Sequence, residues 1–226
     1  GFFKNLYNKV ANRADVDWDE LEADLIAADL GVRVTLVDPA VNPGGVCLYR
    51  GCIPSKALLH VAKVLNESRE AAEWGVAFEP PTIDVDKLRG WKDEVIGKMT
   101  GGLGQLVKAR KIDYQQGRGT FIDDRRLRIE REEGGDVELS FEHAILAAGS
   151  LPASIPLFNI GSDRILDSTS ALELSDIPES MLVVGGGYIG LELGSAYAAL
   201  GTRVSVVEMT DGLIPPADRD LLKPLA

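Results

Sequence analysis

Residues 181 to 208 constrain the fold more tightly than any other stretch of the chain. Met181 to Val184 is a short apolar run, Gly185, Gly187 and Gly190 follow as G-x-G-x-x-G, an apolar segment continues to Leu200, and G-T-R-V-S-V-V-E closes on Glu208. Strand, glycine turn, helix, strand and terminal acid in that order predict a βαβ unit of the dinucleotide-binding type. The glycines permit a tight turn, close approach of a pyrophosphate and close helix–strand packing, and the helix N-terminus offers free N–H groups. Glu208 lies eighteen residues past Gly190, near the spacing of about 20 at which a carboxylate accepts from a ribose hydroxyl. A carboxylate there repels a 2′-phosphate, which favours NAD over NADP.

The closing strand has an upstream twin. Gly31 to Asp38 reads G-V-R-V-T-L-V-D against G-T-R-V-S-V-V-E, so two units were built on one plan and Asp38 takes the place of Glu208. Carried back by 170 residues, however, the three glycine positions become Asp15, Asp17 and Glu20, and the strand slot reads A-N-R-A. Three carboxylates repel a pyrophosphate and block backbone approach. Instead, Phe2, Phe3, Leu6, Tyr7 and Val10 recur at helical spacing, and Asp17 with Glu20 opens a second helical run to Leu30. Residues 1–34 are therefore expected to form a helical segment that replaces the first βα unit.

Both cysteines of the chain, Cys47 and Cys52, stand within Gly44 to Lys56, G-G-V-C-L-Y-R-G-C-I-P-S-K. A disulfide across so small a loop removes little unfolded-chain entropy, so reactivity explains the pair better than stapling. Cys52 is placed just ahead of a helix expected to begin at Pro54, where the macrodipole favours a thiolate, and Lys56 adds positive charge. Two buried thiols paired by accident and half a zinc site are the alternatives. A zinc site needs about four ligands, and His60 and His143, the only histidines, are not spaced as partners.

With A-L-L-H following, this stretch resembles the redox-disulfide segment of the dihydrolipoamide dehydrogenases, within the pyridine-nucleotide flavoprotein disulfide oxidoreductases. The resemblance implies that Cys47 is the interchange thiol meeting the dithiol substrate and Cys52 the thiolate facing the flavin. It also implies that Lys56 is the cation beside the flavin's reactive nitrogen, held by Glu192, and that Asp38 and Gly45 belong to the FAD site. H-A-I-L-A-A-G-S, His143 to Ser150, resembles the A-T-G-S stretch that passes the flavin in this family. Ala148, with Gly149 and Ser150 after it, stands where threonine is usual.

The fold class expected is α/β, a Rossmann-like FAD/NAD(P)-binding three-layer fold, incomplete, with the N-terminal helical segment and an antiparallel β-meander. A helix from Pro54 to Trp74 presents Ala57, Leu58, Val61, Val64 and Leu65 and stops at Gly75. Asp84 caps a second long helix to about Arg110, with Leu88, Trp91, Val95, Met99, Leu103 and Leu106 as its apolar stripe. Gly119 to Ile122, Leu127 to Glu130 and Val137 to Phe141 alternate as meander strands, and His143 to Gly149 reads as a buried strand. The proline-rich Leu151 to Pro156 is the expected linker between a partial FAD-binding domain, 35–150, and a partial NAD-binding domain, 151–226.

Composition closes off other classes. Apolar residues at 45% suffice for a core, and 35 acidic against 24 basic residues give a net charge of −11, which disfavours nucleic acid and anionic membranes. No run approaches the length of a membrane span, no signal peptide is visible, and two cysteines fit a reducing compartment, so a cytoplasmic setting is expected. G-F-F-K-N-L-Y-N-K-V and D-E-L-E-A-D-L-I-A-A-D-L-G-V resemble the helical N-domain of the bacterial signal-recognition-particle receptor. That GTPase's phosphate loop, G-x-x-x-x-G-K-[ST], occurs nowhere, so GTP chemistry does not follow. The start at Gly1 and the stop after K-P-L-A suggest a truncated chain without the family's dimerisation domain and its acid–base pair.

The function expected from the resemblance is passage of electrons from a dithiol through Cys47–Cys52 and FAD to NAD⁺. Dihydrolipoamide or another small dithiol is the substrate implied, as on the lipoyl domain of a 2-oxo acid dehydrogenase complex, and the family is homodimeric. Mercuric or glutathione reductase is the nearest rival within the family. From a different class comes an inactive fragment that at most binds a nucleotide or serves as a helix-mediated interaction module.

Overall fold

The computed structural model describes residues 33–132 and 134–223. The two helices expected at the N-terminus and the acids at 15, 17 and 20 lie outside the described residues. The described residues form two compact units, one of 33–41 with 105–142 and one of 42–104 with 143–223.

In the first unit, β1 (Thr35–Asp38) pairs in parallel with β2 (Asp113–Gln116), Thr35 opposite Asp113 and Asp38 opposite Gln116. The second strand was not legible in D-Y-Q-Q, which is polar. It is held by ladder bonds and by the Tyr114 hydroxyl, which donates to the Ala40 carbonyl at 2.6 Å. The meander follows as expected: β3 (Arg118–Phe121), β4 (Arg126–Glu130) and β5 (Val137–Ser140) pair antiparallel in sequence order. Ile129 is fully buried there, and Phe121 meets Phe141 edge to face at 5.9 Å, a favoured aromatic geometry.

The second unit begins with α1 (Gly45–Arg50) and α2 (Cys52–Glu70), separated by Gly51 alone. A 3₁₀ turn, Ala71–Trp74, ends at Gly75, whose left-handed φ of 85° supplies the stop that the sequence predicts. Helix α2 starts at Cys52 rather than at Pro54. Pro54 then falls at the third helical position, where its missing N–H is still one of the four that no intrahelical carbonyl accepts. Asp84 caps α3 (Val85–Ala109) by accepting from the Lys87 amide at 3.0 Å.

The buried face of α3 departs from the expected stripe. Trp91, Met99 and Leu106 are exposed, whereas Lys92, Thr100 and Val107 are buried. At Gly104 the helix runs so close to Asn42 that a Cβ would clash with its side-chain oxygen, so no larger residue fits at that position. Val64 of α2 is likewise exposed, with Ala62 buried in its place.

Asp167 opens α4 (Ser168–Leu172) with a reciprocal capping box to Ser170. Then β6 (Ser180–Val184), α5 (Tyr188–Leu200) and β7 (Arg203–Val207) form the predicted βαβ unit, with β6 parallel to β7. A four-residue helix, α6 (Arg219–Leu222), completes the unit. Leu58 of α2 enters one core with Ala171, Leu172, Leu174, Leu193, Ala196, Tyr197 and Leu200. The Tyr197 hydroxyl donates to the Ala171 carbonyl at 2.8 Å, and burial pushes its pKa up to about 12.

One expected element is absent. His143 to Gly149 is not a buried strand: Ile145 and Leu146 are 88% and 78% exposed. Among the described residues no strand pairs with it, and an apolar run without ladder partners cannot enter an interior with its N–H and C=O groups unmet. No helix among the described residues is long and apolar enough to cross a membrane.

Candidate functional site

Gly51 brings the two thiols together. A Cβ at this position would lie 2.9 Å from the Val46 carbonyl oxygen and 3.2 Å from Cys47 Cα, so only glycine lets α2 begin directly against the back of α1. Cys52 thereby opens α2 beside Cys47, the third residue of α1. Both are exposed and carry free thiols. The Cys47 pKa is raised, chiefly by its side-chain hydrogen bond with Cys52, then by burial and by repulsion from a charge on Cys52. The Lys56 ammonium opposes that rise.

Lys56 is held from the opposite helix. Its Nζ donates to Glu192 Oε1 at 3.0 Å, while the Ser55 hydroxyl donates to Glu192 Oε2 at 2.6 Å. Burial pushes the Glu192 carboxyl up, but the bonds from Ser55 and Lys56 outweigh it and leave the group below its ordinary value. Lys56 is raised, first by its hydrogen bond and attraction to Glu192 and then by the thiols. The structure thus places Cys47, Cys52, Lys56 and Glu192 in one neighbourhood. Gly149 joins them: it takes a left-handed φ of 68°, and a Cβ there would stand 3.2 Å from Val46 Cγ2. Ala148, Ser150 and Gly45 are exposed. Gly45 begins α1 with φ 56°.

The sequence reading missed Ser55, whose partner lies 137 residues away; no local pattern could have indicated it.

The glycine turn lies at the N-terminus of the same α5 that carries Glu192. Gly185 has φ 102°, and its amide extends the ladder to the Val207 carbonyl at 2.8 Å. Gly187 precedes the first turn of α5, which contains no acid and no capping side chain. A Cβ at Gly190 would strike Val183 Cγ1 at 2.8 Å and the Gly185 carbonyl at 2.9 Å, so this glycine secures close helix–strand packing. Open N–H groups and no facing carboxylate on that first turn fit a pyrophosphate. Glu208, at the end of β7, is already engaged: it accepts from the Gly186 amide at 2.7 Å and the Thr210 amide at 2.8 Å. Those backbone bonds hold its pKa at about 2. The acid that spacing assigns to a ribose is therefore seen bracing the turn, which spacing alone did not reveal.

In the first unit, Asp38 ends β1 and accepts from the Ala40 amide at 2.8 Å, closing a tight turn. His60 is exposed, its ring 6.3 Å from that of Trp91. Among the described residues no three His, Cys, Asp or Glu side chains group as a metal site.

Comparison with known proteins agrees with this geometry. The family model for pyridine nucleotide-disulphide oxidoreductases matches residues 21–225. A dihydrolipoyl dehydrogenase of Vibrio cholerae is 47% identical over 196 residues, which cover 87% of this chain and 41% of the relative. One of Halobacterium salinarum is 42% identical over 207 residues, 90% of this chain and 43% of the relative. The chain thus spans about 41 to 43% of the length of these relatives. Among solved structures, LpdA of Mycobacterium tuberculosis superposes with a TM-score of 0.79 at 25% identity, covering 90% of this chain and 45% of that one. The HOCl-induced flavoprotein disulfide reductase RclA of Escherichia coli does so with 0.74 at 28% identity, covering 91% and 43%. With that match over most of its length, a paired-thiol helix and a glycine-turn βαβ unit, the chain belongs to the pyridine nucleotide-disulphide oxidoreductase family.

Proposed function

We propose that this chain carries the thiol-exchange and nucleotide-binding parts of a dihydrolipoyl-dehydrogenase-type disulfide oxidoreductase. The contact between Cys47 and Cys52, within reach of the Lys56 charge that Glu192 holds, carries the reading. Starting from the oxidised pair, a thiolate of a dithiol substrate attacks Cys47 Sγ, the Cys47–Cys52 bond breaks, and Cys52 leaves as a thiolate beside Lys56. The second substrate thiol then attacks the mixed disulfide and releases Cys47. Substrate dithiol becomes disulfide, and the protein gains two electrons and one proton: the proton of the second substrate thiol ends on Cys47, that of the attacking thiol has gone to solvent, and Cys52 remains a thiolate. Lys56 steadies the negative charge on the leaving sulfur, and Glu192 keeps the ammonium in place.

The chemistry that bound cofactors supply is the onward passage of that electron pair, by way of FAD, to NAD⁺. For NAD, Gly185, Gly187, Gly190 and Glu208 are the holding residues, and they fit. For FAD, Asp38, Gly45, Lys56, Ala148, Gly149, Ser150 and Glu192 are the residues proposed. The positions that correspond to a pyrophosphate-cradling glycine turn, however, are Asp15, Asp17 and Glu20, and carboxylates do not fit a diphosphate. Thiol exchange is accordingly the step that this chain's own residues carry.

The substrate proposed is dihydrolipoamide or another small dithiol, free or on the lipoyl domain of a 2-oxo acid dehydrogenase complex, in the cytoplasm. The proposed division is a flavin-side domain of 35–150 and a nucleotide-side domain of 151–226. The helical segment 1–34, akin to the signal-recognition-particle receptor's N-domain, is proposed to replace the first βα unit, although the family match reaches back to residue 21.

The acids at 15, 17 and 20 also favour a second reading: a chain without flavin that exchanges thiols or binds nucleotide but does not turn over. One experiment separates the two. The oxidised chain is treated with dihydrolipoamide and its free thiols are counted, with visible absorbance and NADH formation followed after loading with FAD. Two new thiols per chain, lost in Cys47→Ser and Cys52→Ser, support the exchange. Flavin retained after desalting together with NADH formation supports the full reaction, and a colourless protein that still exchanges supports the second reading. No intramolecular disulfide under oxidised glutathione overturns thiol exchange, and with it the first reading.

A further inference from the structure

The carboxylate of Glu192 is divided between two neighbours on one helix turn. Lys56 occupies Oε1 and is exposed; Ser55 occupies Oε2 and is buried, with 7% of its surface accessible. An ammonium on a four-carbon stem adopts many positions over a carboxylate, since it offers three donors on a freely turning end. A buried hydroxyl on the first turns of α2 has few, and its 2.6 Å bond is the short, charge-assisted kind. Of the two contacts, the serine one therefore fixes the Glu192 rotamer, and Lys56 then meets an oxygen whose place is already set.

We propose that Ser55 is a positioning residue: by taking the second oxygen of Glu192 it locks that carboxylate, and through it the Lys56 ammonium, against the Cys47–Cys52 pair. The proposal rests on the reading of Cys47 and Cys52 as the working thiols, and it concerns their electrostatics before any cofactor binds. Without the hydroxyl, Glu192 retains only Lys56, whose ammonium is itself mobile. Either it turns both oxygens to Lys56 and draws the ammonium off the sulfurs, or it turns to water. Both outcomes weaken the positive field at the thiols. The charged groups that interact with one another at this junction of α1, α2 and α5 are Cys47, Cys52, Lys56 and Glu192.

The test is made on the full reduced chain without flavin. Thiolate absorbance at 240 nm and the iodoacetamide alkylation rate are followed against pH for the parent, Ser55→Ala, Ser55→Thr, Glu192→Gln and Ser55→Ala/Glu192→Gln. Alanine is isosteric apart from the hydroxyl and favours helix, and circular dichroism checks the fold. Ser55→Ala is expected to raise the macroscopic midpoint of the pair by about half a pH unit, slowing alkylation near neutral pH about threefold. Ser55→Thr, which retains the hydroxyl, restores the parent midpoint. The double variant shifts no further than Glu192→Gln alone, because both changes sever the same link. A parent-like midpoint in Ser55→Ala, or full additivity in the double variant, overturns the proposal. Neither result bears on whether the thiols exchange with a dithiol, which is read separately by thiol counting.

Discussion

Gly51→Ala is the substitution for which the structure sets the consequence most closely. The added methyl carbon would lie 2.9 Å from the Val46 carbonyl oxygen, 3.2 Å from Cys47 Cα and 3.4 Å from the Val46 carbonyl carbon. An unstrained carbon–oxygen contact is about 3.3 Å and a carbon–carbon contact about 3.5 Å or more, so relief requires roughly 0.3–0.4 Å of movement. All three atoms are backbone atoms of α1, and none turns away as a side-chain end would. Overpacking of this kind costs about 1–3 kcal/mol, equivalent for a chain of this size to a fall in Tm of about 2–12 °C. The movement separates the helices at the thiols, where a disulfide tolerates only about 3.5–4.5 Å between Cβ atoms. If about 1.4 kcal/mol of the cost falls on the oxidised form, the Cys47–Cys52 couple becomes about 30 mV more oxidising and its equilibrium with glutathione shifts tenfold. Thermal melting of the reduced chain and a glutathione redox titration measure the two effects. A variant matching its parent in both would show that the junction yields freely and would refute the reasoning.

Three further outcomes are expected. Leu58→Ala removes a side chain that is 2% exposed within the α2–α5 core and should destabilise by about 2–4 kcal/mol, read by urea denaturation. Glu208 is depressed from 4.5 to about 2, first by the Thr210 amide and then by the Gly186 amide; its stabilising contribution is complete above pH 4.5 and lost as pH falls towards 2. Glu208→Gln should flatten that limb of an acid-unfolding curve, and the Gly186 amide resonance of the parent should titrate near pH 2. Asp167→Ala deletes the capping box of α4 and should cost about 1 kcal/mol. Because the Asp167 carboxyl is held below its usual range, chiefly by the Ser170 amide, that difference should vanish in more acidic solution.

The elements that could be read from sequence are those whose chemistry is local. G-x-G-x-x-G between two apolar runs gives the strand–turn–helix–strand unit because each glycine answers a steric need within a few residues. Gly75 and Asp84 mark helix ends for the same reason. What failed depends on distant partners. D-Y-Q-Q becomes a strand only because β1 lies beside it, and H-A-I-L-A-A-G lacks the ladder that its apolar character suggested. On α3 the close approach of Gly104 to Asn42 lies outside any local stripe. Within the candidate site, Cys47, Cys52 and Lys56 were legible as a motif, whereas the short α1 and the hydrogen bond from Ser55 to Glu192 were not. The first depends on the absence of a Cβ at Gly51, the second on a helix encoded 137 residues later.

Helix α2 begins at Cys52 and, two turns further on, sinks Leu58 against Leu193, Ala196 and Tyr197 of α5, the helix that starts at the glycine turn. Sulfur and glycine loop are thus mounted on a common girder. Hydrogen–deuterium exchange should find the central amides of both helices opening together as a single block, so wear at either end of that girder loosens the other.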